Sequence, residues 1–379
     1  MFPSRFAFLC AAALPWLGAG TALEAEPAPS AGERLHAVAD FADRQATGVT
    51  VSSDGRVFVC FPRWSPNLAM SVGEVYPDGT LQPFPNERWN EWEPGTDDPN
   101  RFVCVQSVVV APDGRLFALD PASPFMEGVV ERGARLFGFN LDERVPDGAY
   151  GFPDDIAPKN SYLNDVRFDP GMTHAYITDS GTGALVVLDL ESGESRRVLA
   201  QHSSTQAEDV TPVIGGRPFV VSETGETPKI HADGIAISED GETLFFHALT
   251  AYHLYAIPTA KLKDFSLSED ELAAAVRDLG ETHVTDGMHR GTAALGGADA
   301  ILHTALEKDA ITAWSPGTGA MSTVLQDPRL IWPDTLAVGP DGSLFITAAQ
   351  IHNAPRFNEG ENRRIHPYVL WRLAPGEEF

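Results

Sequence analysis

The sequence predicts an all-β chain, a six-bladed β-propeller with a short helical insertion, and three observations lead there. A phrase made of a polar or small residue, a short apolar strand, a tight turn and a second strand recurs six times along 379 residues. Four copies carry Asp-Gly at the turn: TGVTVSSDGRVFVCF from Thr47, QSVVVAPDGRLFALD from Gln106, DGIAISEDGETLFFHA from Asp233 and DTLAVGPDGSLFITA from Asp334. Further strand-like runs lie between copies, such as ALVVLDL at 184–190, HLYAIPT at 253–259 and AITAWSP at 310–316.

Each phrase reads as a β-hairpin. Alternating β-branched and aromatic residues favour strands, and Asp-Gly supplies the positive φ angles of a two-residue hairpin turn. Two hairpins per repeat make a four-stranded antiparallel sheet. Six such sheets bury both faces only by packing around a common axis, which is a propeller. A pair of packed sheets is the competing architecture, but it leaves the repetition without a cause.

In chain order, residues 1–25 read as a signal peptide. Arg5 precedes the apolar run FAFLCAAALPWLGAG, which is too short to span a bilayer, and small residues follow at Ala22 and Ala25. Residues 26–379 are then one exported propeller domain, secreted or periplasmic. Leu35–Phe41 alternates apolar and polar and is expected to pair with Tyr368–Leu373, joining the two chain ends in one blade. Export leaves Cys60 and Cys104, and an oxidising compartment makes a disulfide between them an expectation, with two buried thiols as the alternative. The third copy, NDVRFDPGMTHAYITD, begins at Asn164, and a degenerate fifth, GTAALGGADAILHTA, begins at Gly291. SLSEDELAAAVRDLG reads as a helix capped by Ser268 and Glu271, with Leu272, Val276 and Leu279 on one face and Gly280 at its end. The segment IHNAPRFNEGENRRIHPYVLWRL, rich in arginine, is expected to cross the axis as a basic loop.

Composition narrows the partners. The formal net charge is -26, from 53 acidic and 27 basic residues. Phosphate backbones and anionic membranes are therefore disfavoured, and a small-molecule ligand is the expected partner. No nucleophile elbow, phosphate loop or zinc motif is present.

Register points to the site. In a propeller the first strand of each phrase lies innermost, so its first residue faces the axis at the end opposite the turn. Counting seven back from the turn slot gives Thr47, Gln106, Asn164, Asp233, Gly291 and Asp334, with Asp165, His231 and Arg290 as neighbours. The ligand-binding set is thus Gln106, Asn164, Asp165, Asp233, Arg290 and Asp334. Such an oxygen-rich ring suits an ammonium group or a hard cation. Two carboxylates in one funnel also raise a pKa, as general acid–base chemistry requires. The plain alternative is that these residues cap strands and hold water in a channel. His247 and His253 fall on strands and read as core or surface residues.

The chain resembles the Yellow/major royal jelly protein family. FVCFPRWSPNLAMSVGEV at 58–75, QSVVVAPDGRLFALD, AYITDSGTGALVVLDLESGESRRVL, HADGIAISEDGETLFFHALTAYHLYAIPTAKL and LIWPDTLAVGPDGSLFITA carry the likeness, in the family's order, over about 48–373. It departs from the family after the second hairpin, where DPAS stands at 120–123. The resemblance implies a six-bladed propeller. It leaves the activity open, since the family spans dopachrome-converting enzymes, amine-binding proteins and storage proteins. Two readings follow: a Yellow-like protein binding, and isomerising, a small aromatic or amine-bearing metabolite, or a metal-dependent lactonase of the regucalcin/gluconolactonase type. No cofactor is predicted. A divalent cation such as calcium belongs to the second reading, with Asn164, Asp233 and Asp334 as its ligands, but by the register above the TDGM at 285–288 falls out of phase with that pattern.

Overall fold

The computed structural model describes residues 34–66, 68, 70–96 and 98–375, so residues 1–25, expected to be a signal peptide, lie outside the described residues. Six four-stranded antiparallel sheets form the molecule. Their innermost strands are Gly48–Val51 in blade I, Ser107–Val110 in II, Leu163–Phe168 in III, Ala232–Ile237 in IV, Thr285–Arg290 in V and Pro333–Val338 in VI. Each packs against the next around the axis, and VI returns to I.

Burial explains the closed ring. A separate apolar cluster fills each of the six gaps between blades; Phe117 and Leu119 of II meet Val166 and Ile177 of III, for example. One chain end supplies the missing strand of blade VI: Leu35–Asp40 pairs antiparallel with Val369–Leu373, as the alternation predicts. Leu35, 2% exposed, enters the cluster between V and VI. A seventh cluster, including Phe219, Leu249, Trp332 and Ile351, lies outside the six gaps.

Two sequence expectations change here. The capping box at Ser268 and Glu271 forms, but the helix runs only over Glu269–Ala273. Leu279 belongs instead to the strand Arg277–Glu281, the edge of blade IV, which pairs with His253–Ala256 and packs Leu279 against the cluster between blades IV and V. The fifth phrase is also misregistered. Its innermost strand is Thr285–Arg290, and residues 291–300 form a long connection before Ile301–Ala305. That connection is ten residues long, so no two-residue turn exists to count from. Gly291 therefore sits at the wrong end of the strand, and Asp286 is the residue equivalent to Asp233 and Asp334.

Candidate functional site

The four innermost strands of blades III to VI share one irregularity. Pairing with the second strand skips two residues after Leu163, Ala232, Thr285 and Pro333. Asn164, Asp233, Asp286 and Asp334 occupy the same place in these four bulges, which re-aim side chains at the rim of a sheet. Two glycines bring the carboxylates close. A Cβ on Gly234 would lie 2.6 Å from the Asp286 carbonyl oxygen, and one on Gly287 would lie 2.0 Å from that of Asp334. Only a bare α-carbon lets each neighbouring blade approach this far.

The result is an axial well of about 600 Å³. Gln106, Asn164, Asp233, Asp286 and Asp334 line it, Trp64, Tyr162, Phe125 and Phe357 add aromatic surface, and Lys229, Arg356 and Arg364 are its cations. The arginine-rich loop thus reaches the well through Ile351, Ala354, Pro355, Arg356, Phe357 and Arg364.

A directed hydrogen-bond chain crosses the well. The Trp64 indole N–H donates to the Tyr162 hydroxyl at 2.8 Å, and Tyr162 donates to Gln106 Oε1 at 2.9 Å. Gln106 Nε2 reaches Asn164 Oδ1 at 3.4 Å, and Asn164 Nδ2 donates to Asp233 Oδ2 at 2.7 Å. Asp286 lies beside Asp233 in the lining, and the Trp332 indole N–H donates to Asp286 Oδ2 at 2.7 Å. Neighbouring buried carboxyls do not ionise independently.

Burial pushes Asp286 up to about 6, with the Trp332 N–H restraining the rise. It pushes Asp233 well above the usual carboxylate range, followed by the charges of Asp286 and Asp334. Asp334 is raised by burial and then by Asp286. Asp286, raised least, is therefore the first of the three to ionise. Among the described residues no group of three or more His, Cys, Asp or Glu side chains is placed to hold a metal ion. Asn164 turns N–H donors, not its oxygen, toward Asp233 and Ser180.

The sequence-derived set divides accordingly. Gln106, Asn164, Asp233 and Asp334 line one well. Asp165 does not: the bulge turns it below the floor, where it accepts from Ser107 at 2.7 Å and pairs with Arg167 at 2.8 Å. Arg290 lies at the other mouth of the channel, paired with Glu239 at 3.0 Å, because it ends the strand that Asp286 begins. Thr47 is buried and donates to the Gln106 carbonyl, while His231 accepts from the Ala207 N–H beside the well. His247 is buried, and His253 pairs with Glu208 at 2.7 Å. Below the floor, Arg167 also donates to the Met288 carbonyl at 2.7 Å, so one side chain of blade III reaches blade V across the channel.

The expected disulfide is not formed, and Cys60 and Cys104 are buried free thiols. Cys60 Sγ donates to the Gln106 carbonyl at 3.1 Å, and Cys104 lies against the Tyr162 hydroxyl. Each thiol is thus engaged with its own neighbours.

Sequence reasoning wrongly set Asp286 aside as out of phase and missed Trp64, Tyr162 and Trp332. Asp286 had a signal, since Thr-Asp-Gly at 285–287 parallels Ala-Asp-Gly at 232–234. The aromatic three arrive from outside the innermost strands, so register says nothing of them.

Comparison with known proteins agrees with this architecture. Among solved structures, regucalcin from Agrobacterium tumefaciens aligns over 90% of this chain and 93% of its own, with TM-score 0.55 and 14% identity. A luciferin-regenerating enzyme aligns over 91% and 97%, with TM-score 0.55 and 10% identity. A gluconolactonase from Xanthomonas campestris aligns over 90% and 89%, with TM-score 0.53 and 12% identity. Likeness at this identity is likeness of fold. In sequence, protein yellow of Drosophila melanogaster is 24% identical over 249 residues, which is 61% of this chain and 44% of that protein. Protein yellow of Drosophila yakuba is 23% identical over 256 residues, 63% of this chain and 46% of that one. The chain therefore spans under half the length of these relatives. The sequence profile described as major royal jelly protein matches residues 105–356, and with four of the six blades wholly inside that span and the ring closed around them, this chain belongs to the major royal jelly protein family.

Proposed function

We propose that the axial well binds a small aromatic, amine-bearing metabolite and exchanges a proton with it, as an isomerase does. The observation that carries this is the convergence of Asp233, Asp286 and Asp334 at the floor of one aromatic-walled well, with Asp286 pushed up to about 6 and Asp233 raised well above the usual carboxylate range. An ionised Asp286 attracts an ammonium group in a poorly hydrated place, where such contacts are strongest. A proton removed by Asp286 and one returned from Asp233 would shift a double bond with no net oxidation. Trp64, Tyr162, Phe125 and Phe357 supply ring-stacking surface, and Arg356 and Arg364 would face any anionic substituent.

Calorimetric titration with tyramine and with its neutral isostere 4-propylphenol tests the reading. Tyramine should bind more tightly, and Asp286→Asn should weaken it about tenfold or more while barely affecting 4-propylphenol, the scale of a lost hydrogen bond to a charged group. Equal affinity for both probes, or unchanged binding in Asp286→Asn, rejects it. Elemental analysis of the same preparation addresses the lactonase alternative: a stoichiometric divalent metal would transfer the floor to hydrolytic chemistry.

A further inference from the structure

Trp332 has no place in the ring of strand-start residues, yet its geometry is unusual. Its φ is 57°, in the left-handed region, immediately before Pro333. A bulky residue at positive φ is a true outlier, and such strain gathers where function holds it in place. The surroundings hold this one. Trp332 is fully buried, its ring lies 5.1 Å from that of Phe219 and stacks on His352 at 5.7 Å and 19°, and its carbonyl accepts from the Ala349 N–H at 2.9 Å. All of this directs the indole N–H to Asp286 Oδ2. Asp286 differs from its two neighbours in this: among the described residues, Asp233 accepts from the Asn164 amide and Asp334 from the Thr335 hydroxyl at 3.3 Å.

We propose that Trp332 is the positioning residue of the well: by donating its indole N–H, it fixes Asp286 as the carboxylate that receives a cationic group. The inference rests on the amine-binding reading above and adds to it a residue that does not line the cavity. His352 belongs to the arginine-rich loop, so the loop's packing bears on the same indole.

Substitution Trp332→Phe keeps a ring against Phe219 and His352 and removes the donor. Tyramine affinity should fall about tenfold, with 4-propylphenol affinity unchanged. Equal losses for both probes would mean a purely packing role and would overturn the proposal. Indole N–H resonances of the protein labelled with ¹⁵N-tryptophan give a second, ligand-free test. The Trp332 signal, assigned by triple-resonance spectra of the parent protein, should move upfield in Asp286→Ala and stay in place in Asp334→Ala; an unmoved signal in Asp286→Ala overturns the proposal even if Trp332→Phe does not fold. Should tyramine fail to bind the parent protein, the amine-binding reading fails alone, because the resonance test needs no ligand.

Discussion

His303 shows how a residue remote from the well sets a pH response. It is fully buried in blade V, and neither ring nitrogen has a hydrogen-bond partner among the described residues. Burial, then the neighbouring His247 and His283, push its pKa well below the usual histidine value. The unfolded chain therefore takes up a proton near pH 6.5 that the native protein refuses. Full stability lies above that pH and is lost as the pH falls through it, at up to about 1.4 kcal/mol per unit. His247, His289 and His352, each lowered to about 4, act in the same sense. The raised carboxyls of Asp233, Asp286 and Asp334 act oppositely, since the native state holds protons the unfolded chain has released. Comparison with His303→Leu isolates one group. Urea unfolding at pH 7.5 should show a gain of about 1–3 kcal/mol from removing two unpaired nitrogens. Between pH 6.5 and 5 the variant should lose stability more slowly than the parent; parallel curves would refute this account.

At the scale of the element, the bulged strand start governs the well. Gly287→Ala places a methyl group against the Asp334 carbonyl, an atom that moves only with its strand. Overpacking of this kind costs about 1–3 kcal/mol, and here it also spreads the carboxylates, so tyramine binding should fall well beyond what the stability loss explains. Retained affinity in a destabilised Gly287→Ala would show that the close approach of blades V and VI does not shape the site. The same elements decide what sequence could say. Asp-Gly turns place Gln106, Asp233 and Asp334 correctly, and the turn at Pro170-Gly171 places Asn164, because a short hairpin ties strand start to turn by a fixed count. That count fails in blade V, where residues 291–300 replace the turn, and Asp286 was lost with it. Arg277–Glu281 was read as helix because Val276 and Leu279 satisfy a helical spacing, while only the edge of blade IV, a tertiary fact, makes the segment a strand. The cysteine expectation came from an oxidising compartment and from Cys60 and Cys104 falling on adjacent blades, and neither fixes the distance between two thiols.

For the whole molecule, closure is the central fact. Blade VI is complete only when Leu35–Asp40 lies beside Val369–Leu373, so each chain end is held by the other. Leu35→Ala should cost about 2–5 kcal/mol in urea unfolding, the range for truncating a buried leucine. His36→Ala, on the exposed side of the same strand, should stay within about 0.5 kcal/mol; similar losses for the two would mean that the strand does not seal the ring. Closure also creates an axial channel with two mouths, and Arg167 bars it beneath the carboxylates by reaching from blade III to the Met288 carbonyl of blade V. A barred channel is a cup and not a pipe. If the well binds and converts a metabolite as proposed, whatever enters from the side of the arginine-rich loop must leave past the same loop, so arriving and departing molecules would contend for one doorway, and turnover could be no faster than that doorway clears.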